Sequence, residues 1–303
     1  MQISKFLKSI GFSICICILL LFVKNEYTCK LMDNMNYGIP ALIKKGSVEE
    51  LYIGSSMFRQ GLDINTLTED GTDAYILSYN GNQPYLEAII LQKLVEEGVK
   101  IDRLFIDMYA YTIIEEPDLE DSKLLLEFDI NGKNKVYSAI SSEYSLKTWW
   151  QFYVSCNMDS IITWPVSSQV VNKQFLKGGN LQYTQGATME EYNGVSAPAI
   201  QYELNDKQLR AIEDIAGLCS DNDIKLMFVE TSKYIGVMED ATYIGIMEKY
   251  RSFLDNKGIS YILADDEVLK SSYETGDFLD VLHLSSSGRQ RFTNELINKI
   301  RAN

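Results

Sequence analysis

Residues 51–56 of this 303-residue chain read Leu-Tyr-Ile-Gly-Ser-Ser, an apolar run that stops on a glycine and two hydroxyls. Residues 280–283 read Asp-Val-Leu-His and hold the single histidine of the sequence. A serine hydroxyl is a poor nucleophile until a base takes its proton, and the usual base is an imidazole. An aspartate three residues ahead of a histidine can reach Nδ1 within one turn, which fixes the tautomer whose Nε2 accepts the serine proton. The residues for a triad are therefore present: Ser56, His283 and Asp280, with Ser55 as a second candidate nucleophile and Asp277 as a second candidate partner for His283. Each fragment alone has a plainer account, because Gly and Ser end many strands and both Ser and Asp cap helices.

Such residues act only if a scaffold brings the two ends of the chain together. Short apolar runs at Leu51 to Ile53, Ala74 to Tyr79, Leu104 to Met108, Ile224 to Val229 and Ile259 to Leu263 read as buried strands. Between them, residues 84–99 open on a proline suited to a first helical position and close near a glycine, and Asp206 to Cys219 and Met238 to Leu254 have helical spacing. Alternating strands and helices predict an α/β protein with a mostly parallel sheet covered on both faces. The rhythm breaks between about 117 and 204, a stretch that holds Trp149, Trp150 and Trp164 and several glycines; it reads as an irregular insertion. Trp149 and Trp150 are candidates either for stacking on sugar rings or for a private core of that insertion.

The two chemical fragments, in this order and context, resemble the SGNH or GDSL-like hydrolases. Their first motif is a Gly-Asp-Ser-like triplet directly after the first strand, here Gly54-Ser55-Ser56, and their last is Asp-x-x-His before the final helix, here Asp280 to His283. The resemblance implies a three-layer flavodoxin-like fold, Ser56 as nucleophile, His283 as base and Asp280 as its orienting acid. It also implies an oxyanion hole built from the Ser56 N–H and the N–H of a glycine after the second strand, a place taken here by Gly81. The family's third motif, Gly-x-Asn-Asp, is missing: the third strand runs into Ile-Asp-Met-Tyr-Ala-Tyr, so Asn82 is a candidate substitute donor, or else a turn residue, and Tyr109 is a further candidate donor, or else a substrate-binding wall of the cleft. Arg59, inside the helix after Ser56, is a candidate for binding an acidic group of a substrate, or else a surface ion pair. No cofactor and no metal are implied.

Residues 5–23 place two lysines ahead of a charge-free run, Ser9 to Val23, which reads as a targeting segment. As a helix that run rises about 22 Å against about 30 Å of hydrocarbon, but Phe6 and Leu7 extend it, Lys8 can snorkel, and no small-residue cleavage site follows Val23. Expected, then, are a signal anchor over 1–26, a juxtamembrane segment over 27–47 and an SGNH-like domain over 48–303, with the domain on the extracytoplasmic side of the cell membrane. Together with the degenerate third motif, the anchor resembles the branch of the family that works on bacterial envelope polymers, including O-acetyltransferases of exopolysaccharide export and the protein of teichoic acid D-alanylation. That implies a membrane-anchored esterase or O-acyltransferase acting on a glycan or acylated polymer, with a membrane-embedded acyltransferase as possible partner. The alternative is a non-catalytic envelope component that binds a glycan or such an acyltransferase. A net charge of -14 repels nucleic acid, and it favours a neutral or aminated polysaccharide over a phosphate-rich polymer. The five cysteines form no CxxC pair, and Cys156 and Cys219 could form a disulfide only if the fold brings them together.

Overall fold

A computed structural model describes residues 8, 10–20, 22–23, 38–121, 124–125, 127–140, 149–150, 152–153, 200–264 and 274–302. Five strands form one sheet in the order β2-β1-β3-β4-β5, with every pairing parallel: β1 Ser47–Gly54, β2 Ala74–Ser78, β3 Lys100–Asp107, β4 Lys225–Val229 and β5 Ser260–Ile262. All five expected runs overlap these strands. Both faces of the sheet are buried, so successive side chains alternate between two cores. Leu51 and Ile53 of β1 and Leu104 and Ile106 of β3 enter one core, while Tyr52 and Phe105 enter the other.

The first core is covered by α1 Gly38–Lys45, α4 Pro84–Glu96, α5 Ile130–Ile140, α6 Asp206–Asp221 and α8 Ala241–Lys257. The second is smaller and is covered by α2 Ser56–Gly61, α3 Ile64–Leu67 and α9 Ser286–Ala302, whose Phe58, Ile64, Leu67, Phe292 and Leu296 meet Tyr52 and Phe105. Tyr52 stacks on Phe105 with centroids 4.5 Å apart and receives the edge of Phe58 at 6.1 Å. A short α7, Ile235–Met238, precedes α8. The helix ends follow their sequence signals. Pro84 opens α4, and Asp240 caps α8 by accepting from the N–H groups of Thr242 and Tyr243.

Most of the expected insertion lies outside the described residues, Trp164 included. Its described part is more regular than its composition suggested: α5 packs Val136 and Tyr137 into the first core, and Phe152 lies 5.3 Å from Tyr137. Trp149 and Trp150 are exposed, the first against the ring of Tyr153 at 5.5 Å. Cys156 and Cys29 also lie outside the described residues, whereas Cys219 is a free buried thiol, pushed up to about 12 by burial. Of the expected anchor, positions 8, 10–20 and 22–23 are described; they are helical and exposed, with Phe12, Leu19, Leu20 and Phe22 open to solvent. Among the described residues no helix is long and apolar enough to cross a membrane.

Candidate active site

In an open parallel sheet the crevice for a ligand lies beyond the carboxyl ends of the strands, where the strand order reverses. Here that place is between β1 and β3, and the backbone leaves β1 through Gly54 straight into Ser55 and Ser56. Ser56 is the first residue of α2 and half-buried, with its Oγ 3.0 Å from His283 Nε2. Ser55 is different in kind. It is buried and acts as the N-cap: its hydroxyl accepts the Met57 N–H at 3.1 Å and donates to Asp107 Oδ2. Of the two candidate serines, only Ser56 faces the histidine.

His283 sits in a turn that closes on itself. Phe278 and Leu284 form an antiparallel bridge, and the Leu279 N–H donates to the His283 carbonyl at 2.8 Å. Inside that turn Asp280 Oδ1 accepts the N–H groups of Leu282 at 2.8 Å and His283 at 2.9 Å, and the carboxylate lies 2.9–3.0 Å from His283 Nδ1. Partial burial works to raise the Asp280 carboxyl, but the imidazole and the two backbone N–H groups outweigh it and hold it below the usual carboxylate range. An ionised Asp280 on Nδ1 keeps the proton there and leaves Nε2 as the acceptor facing Ser56. Asp277 does not share this role: its carboxylate accepts from Arg291 at 2.7 Å and from the Glu274 N–H at 3.2 Å.

The oxyanion candidates lie on the β2 side. Gly81 has φ +57° in a turn closed by the Asn82 N–H on the Tyr79 carbonyl at 3.2 Å, a conformation that favours glycine. Neither the Ser56 N–H nor the Gly81 N–H has an acceptor among the described residues. Asn82 is buried, and its Nδ2 donates to the Gly54 carbonyl at 3.3 Å, so part of its donor capacity ties the turn to the strand that carries the serines. Arg59 is half-buried one turn along α2 from Ser56. The Tyr109 phenol is pushed up by burial first, then by Tyr111 and the carboxylates of Asp107, Glu115 and Asp280; it stays protonated within the field of Asp280. Among the described residues no group of three or more His, Cys, Asp or Glu is arranged to hold a metal ion.

Sequence reasoning missed the layer beneath the serines. Asp107, the last residue of β3, accepts both the N–H and the hydroxyl of Ser55 through Oδ2. Lys233, whose side chain is fully buried, donates to the Thr231 carbonyl at 2.8 Å and lies 5.3 Å from the Tyr109 ring centroid and 5.6 Å from that of Tyr243. Burial pulls its amine down, against the pull of Glu230 and Asp107. The available signal was a carboxylate closing a buried strand beside a strand that closes on glycine.

No family model matches the sequence, and no curated protein matches it. Among solved structures the chain is similar to a Streptococcus pneumonia protein provisionally described as a platelet activating factor, with 12% identity, 95% of this chain and 98% of that one covered, and a TM-score of 0.41. A lipase/acylhydrolase from Enterococcus faecalis matches at 10% identity over 84% of this chain and 96% of that one, with a TM-score of 0.37. A GDSL-like lipase from Bacteroides thetaiotaomicron matches at 9% identity over 85% and 90%, with a TM-score of 0.36. At such identities and TM-scores these likenesses are loose.

Proposed function

We propose that this chain is a serine esterase or O-acyltransferase in which Ser56 is the nucleophile, His283 the general base and Asp280 its orienting acid. One observation carries the reading: Ser56 Oγ lies 3.0 Å from His283 Nε2 while Asp280 holds Nδ1, at the reversal point of the sheet. Ser56 Oγ attacks an ester carbonyl as its proton passes to His283 Nε2. The carbonyl oxygen, now an oxyanion, takes hydrogen bonds from the Ser56 and Gly81 N–H groups, with the remaining donor capacity of Asn82 beside them. Collapse breaks the ester C–O bond, and the leaving alcohol takes the proton from His283. A water or a sugar hydroxyl, deprotonated in turn by His283, then attacks the acyl-serine; the acyl–Oγ bond breaks, His283 returns the proton to Ser56 Oγ, and acid or a new ester is released.

The natural substrate we propose is an ester-bearing glycan of the cell envelope or an exopolysaccharide, neutral or aminated, since a chain of net charge -14 disfavours a phosphate-rich polymer. The exposed apolar residues between 10 and 23 support an N-terminal anchor that would keep the domain on the extracytoplasmic side of the membrane, within reach of a membrane-embedded acyltransferase.

The test is turnover of p-nitrophenyl acetate and labelling by a fluorophosphonate, with the full chain in mild detergent, wild type beside Ser56→Ala. Wild type should be labelled and turn over the ester, and Ser56→Ala should lose labelling and about 10³-fold or more in rate. A wild type inert to both reagents would transfer the assignment to a non-catalytic component that binds a glycan or an acyltransferase.

A further inference from the structure

Behind Ser56 lie three buried groups that the acyl-transfer steps do not use: Ser55, Asp107 and Lys233. Asp107 is 4% exposed, and one of its oxygens, Oδ2, accepts the Ser55 N–H at 3.2 Å as well as the Ser55 hydroxyl. That hydroxyl also accepts the Met57 N–H at 3.1 Å, so it joins the end of β3 to the first turn of α2. Ser56 is the residue between these two anchored positions. Room for Asp107 is written into the chain, because a Cβ at Gly54 would stand 2.4 Å from the Asp107 Cβ and 2.9 Å from the Phe58 ring. Burial pushes the Asp107 carboxyl up, against the Ser55 hydrogen bonds and the charge of Lys233, which is walled by Tyr109 and Tyr243 and lies 3.8 Å from Glu230.

We propose that Asp107 is a positioning residue for Ser56: by holding the N–H and hydroxyl of Ser55 it locks the cap of α2, and with it the Ser56 hydroxyl towards His283 and the Ser56 N–H towards an oxyanion. This inference rests on the esterase or acyltransferase reading. A serine cap ordinarily works without a carboxylate behind it. Burying one carries a desolvation cost that capping alone does not call for. Reacting atoms misplaced by about 1 Å, in contrast, slow a reaction about 10²-fold, which is what a locked cap prevents.

The experiment uses the full chain in detergent with p-nitrophenyl acetate and fluorophosphonate labelling, for wild type, Asp107→Ala, Asp107→Asn, Ser55→Ala and the Asp107→Ala/Ser55→Ala double variant, with thermal melts alongside and kcat expressed per labelled serine. Asp107→Ala should lower kcat about 10²-fold with KM little changed. Asp107→Asn, whose amide oxygen can still accept both bonds from Ser55, should recover most of that loss. The double variant should be no slower than the slower single variant, because both changes act through one cap. If Asp107→Ala only lowers the melting temperature and keeps the wild-type kcat per labelled serine, or if the two losses add, the proposal is overturned. Unaltered Asp107 and Ser55 variants of an active wild type remove this inference alone, whereas a wild type inert to both reagents removes the esterase reading and the inference with it.

Discussion

Ser56 stands on backbone that the sheet holds from both sides, while His283 and Asp280 stand on a turn that holds itself. On the serine side, β1 pairs with β2 and β3, Ser55 is clamped by Asp107, and Phe58 fills a core of Tyr52, Phe105, Phe292 and Leu296. On the histidine side, Asp280 has a side chain 56% exposed, and its ligands are the N–H groups and ring of residues 282 and 283. The difference teaches that one site can separate its functions. The proposed nucleophile inherits its place from the fold, and the proposed base receives its orientation from a few local hydrogen bonds. Changes on the histidine side should cost activity with little stability, and changes on the serine side should cost both.

The largest expected effect tests the histidine side. Asp280→Asn should lower kcat about 10²–10⁴-fold by disturbing the tautomer of His283, with a melting temperature within about 2 °C of wild type. A melt that falls as steeply as the rate would show that the turn does not hold itself after all. Next comes Glu127, which is buried between the start of α1 and the end of β2 and accepts the Tyr79 hydroxyl at 2.7 Å and the Ile39 N–H at 2.8 Å. Burial raises its carboxyl from 4.5 to about 7 against those two bonds. Between these values the folded protein keeps a proton that the unfolded chain releases, so its stability is full below about 4.5 and falls as pH rises to about 7, by about 3 kcal/mol at most. Urea unfolding across that window should show a decline in wild type that is shallower in Glu127→Gln by up to about that amount; parallel lines would remove Glu127 as a source. The smallest effect is Gly54→Ala, which forces a methyl against Asp107 and Phe58. It should cost about 1–3 kcal/mol and lower kcat in the same variant. Full activity with reduced stability, or the reverse, would break the link between fold and nucleophile on that side.

The strands are legible in the sequence because a strand buried on both faces is a continuous apolar run, and every such run falls on the sheet. Their beginnings are not legible. β1 and β3 start at Ser47 and Lys100, where exposed and buried residues alternate, Glu49 and Asp102 outward, so the apolar run begins later than the pairing. α5 is hidden for another reason: Ile130 to Ile140 contains Gly132 and two asparagines, which disfavour a helix, and the packing of Val136 and Tyr137 together with the Asp129 carboxylate on the Gly132 N–H holds it. Of the site, the Asp-x-x-His spacing was readable because the carboxylate–imidazole contact closes within a single turn. Asp107 was not, since its partner is 52 residues away and the contact exists only through the parallel pairing of β3 with β1.

Ser56 and His283 are 227 residues apart in the chain, and the Asp63 N–H just beyond α2 is tied to Thr293 Oγ1 of α9 across 230. This separation is also a schedule. While the chain is being made, the first three strands and α2 exist long before the imidazole does, and α2 has no Phe292 or Leu296 to lean on. A nascent or prematurely ended chain that lacks α9 and the turn ahead of it therefore carries a serine without a base and a helix without its wall. On the proposed mechanism the hydroxyl becomes reactive only as the last segment docks, so incomplete copies would be hydrolytically silent.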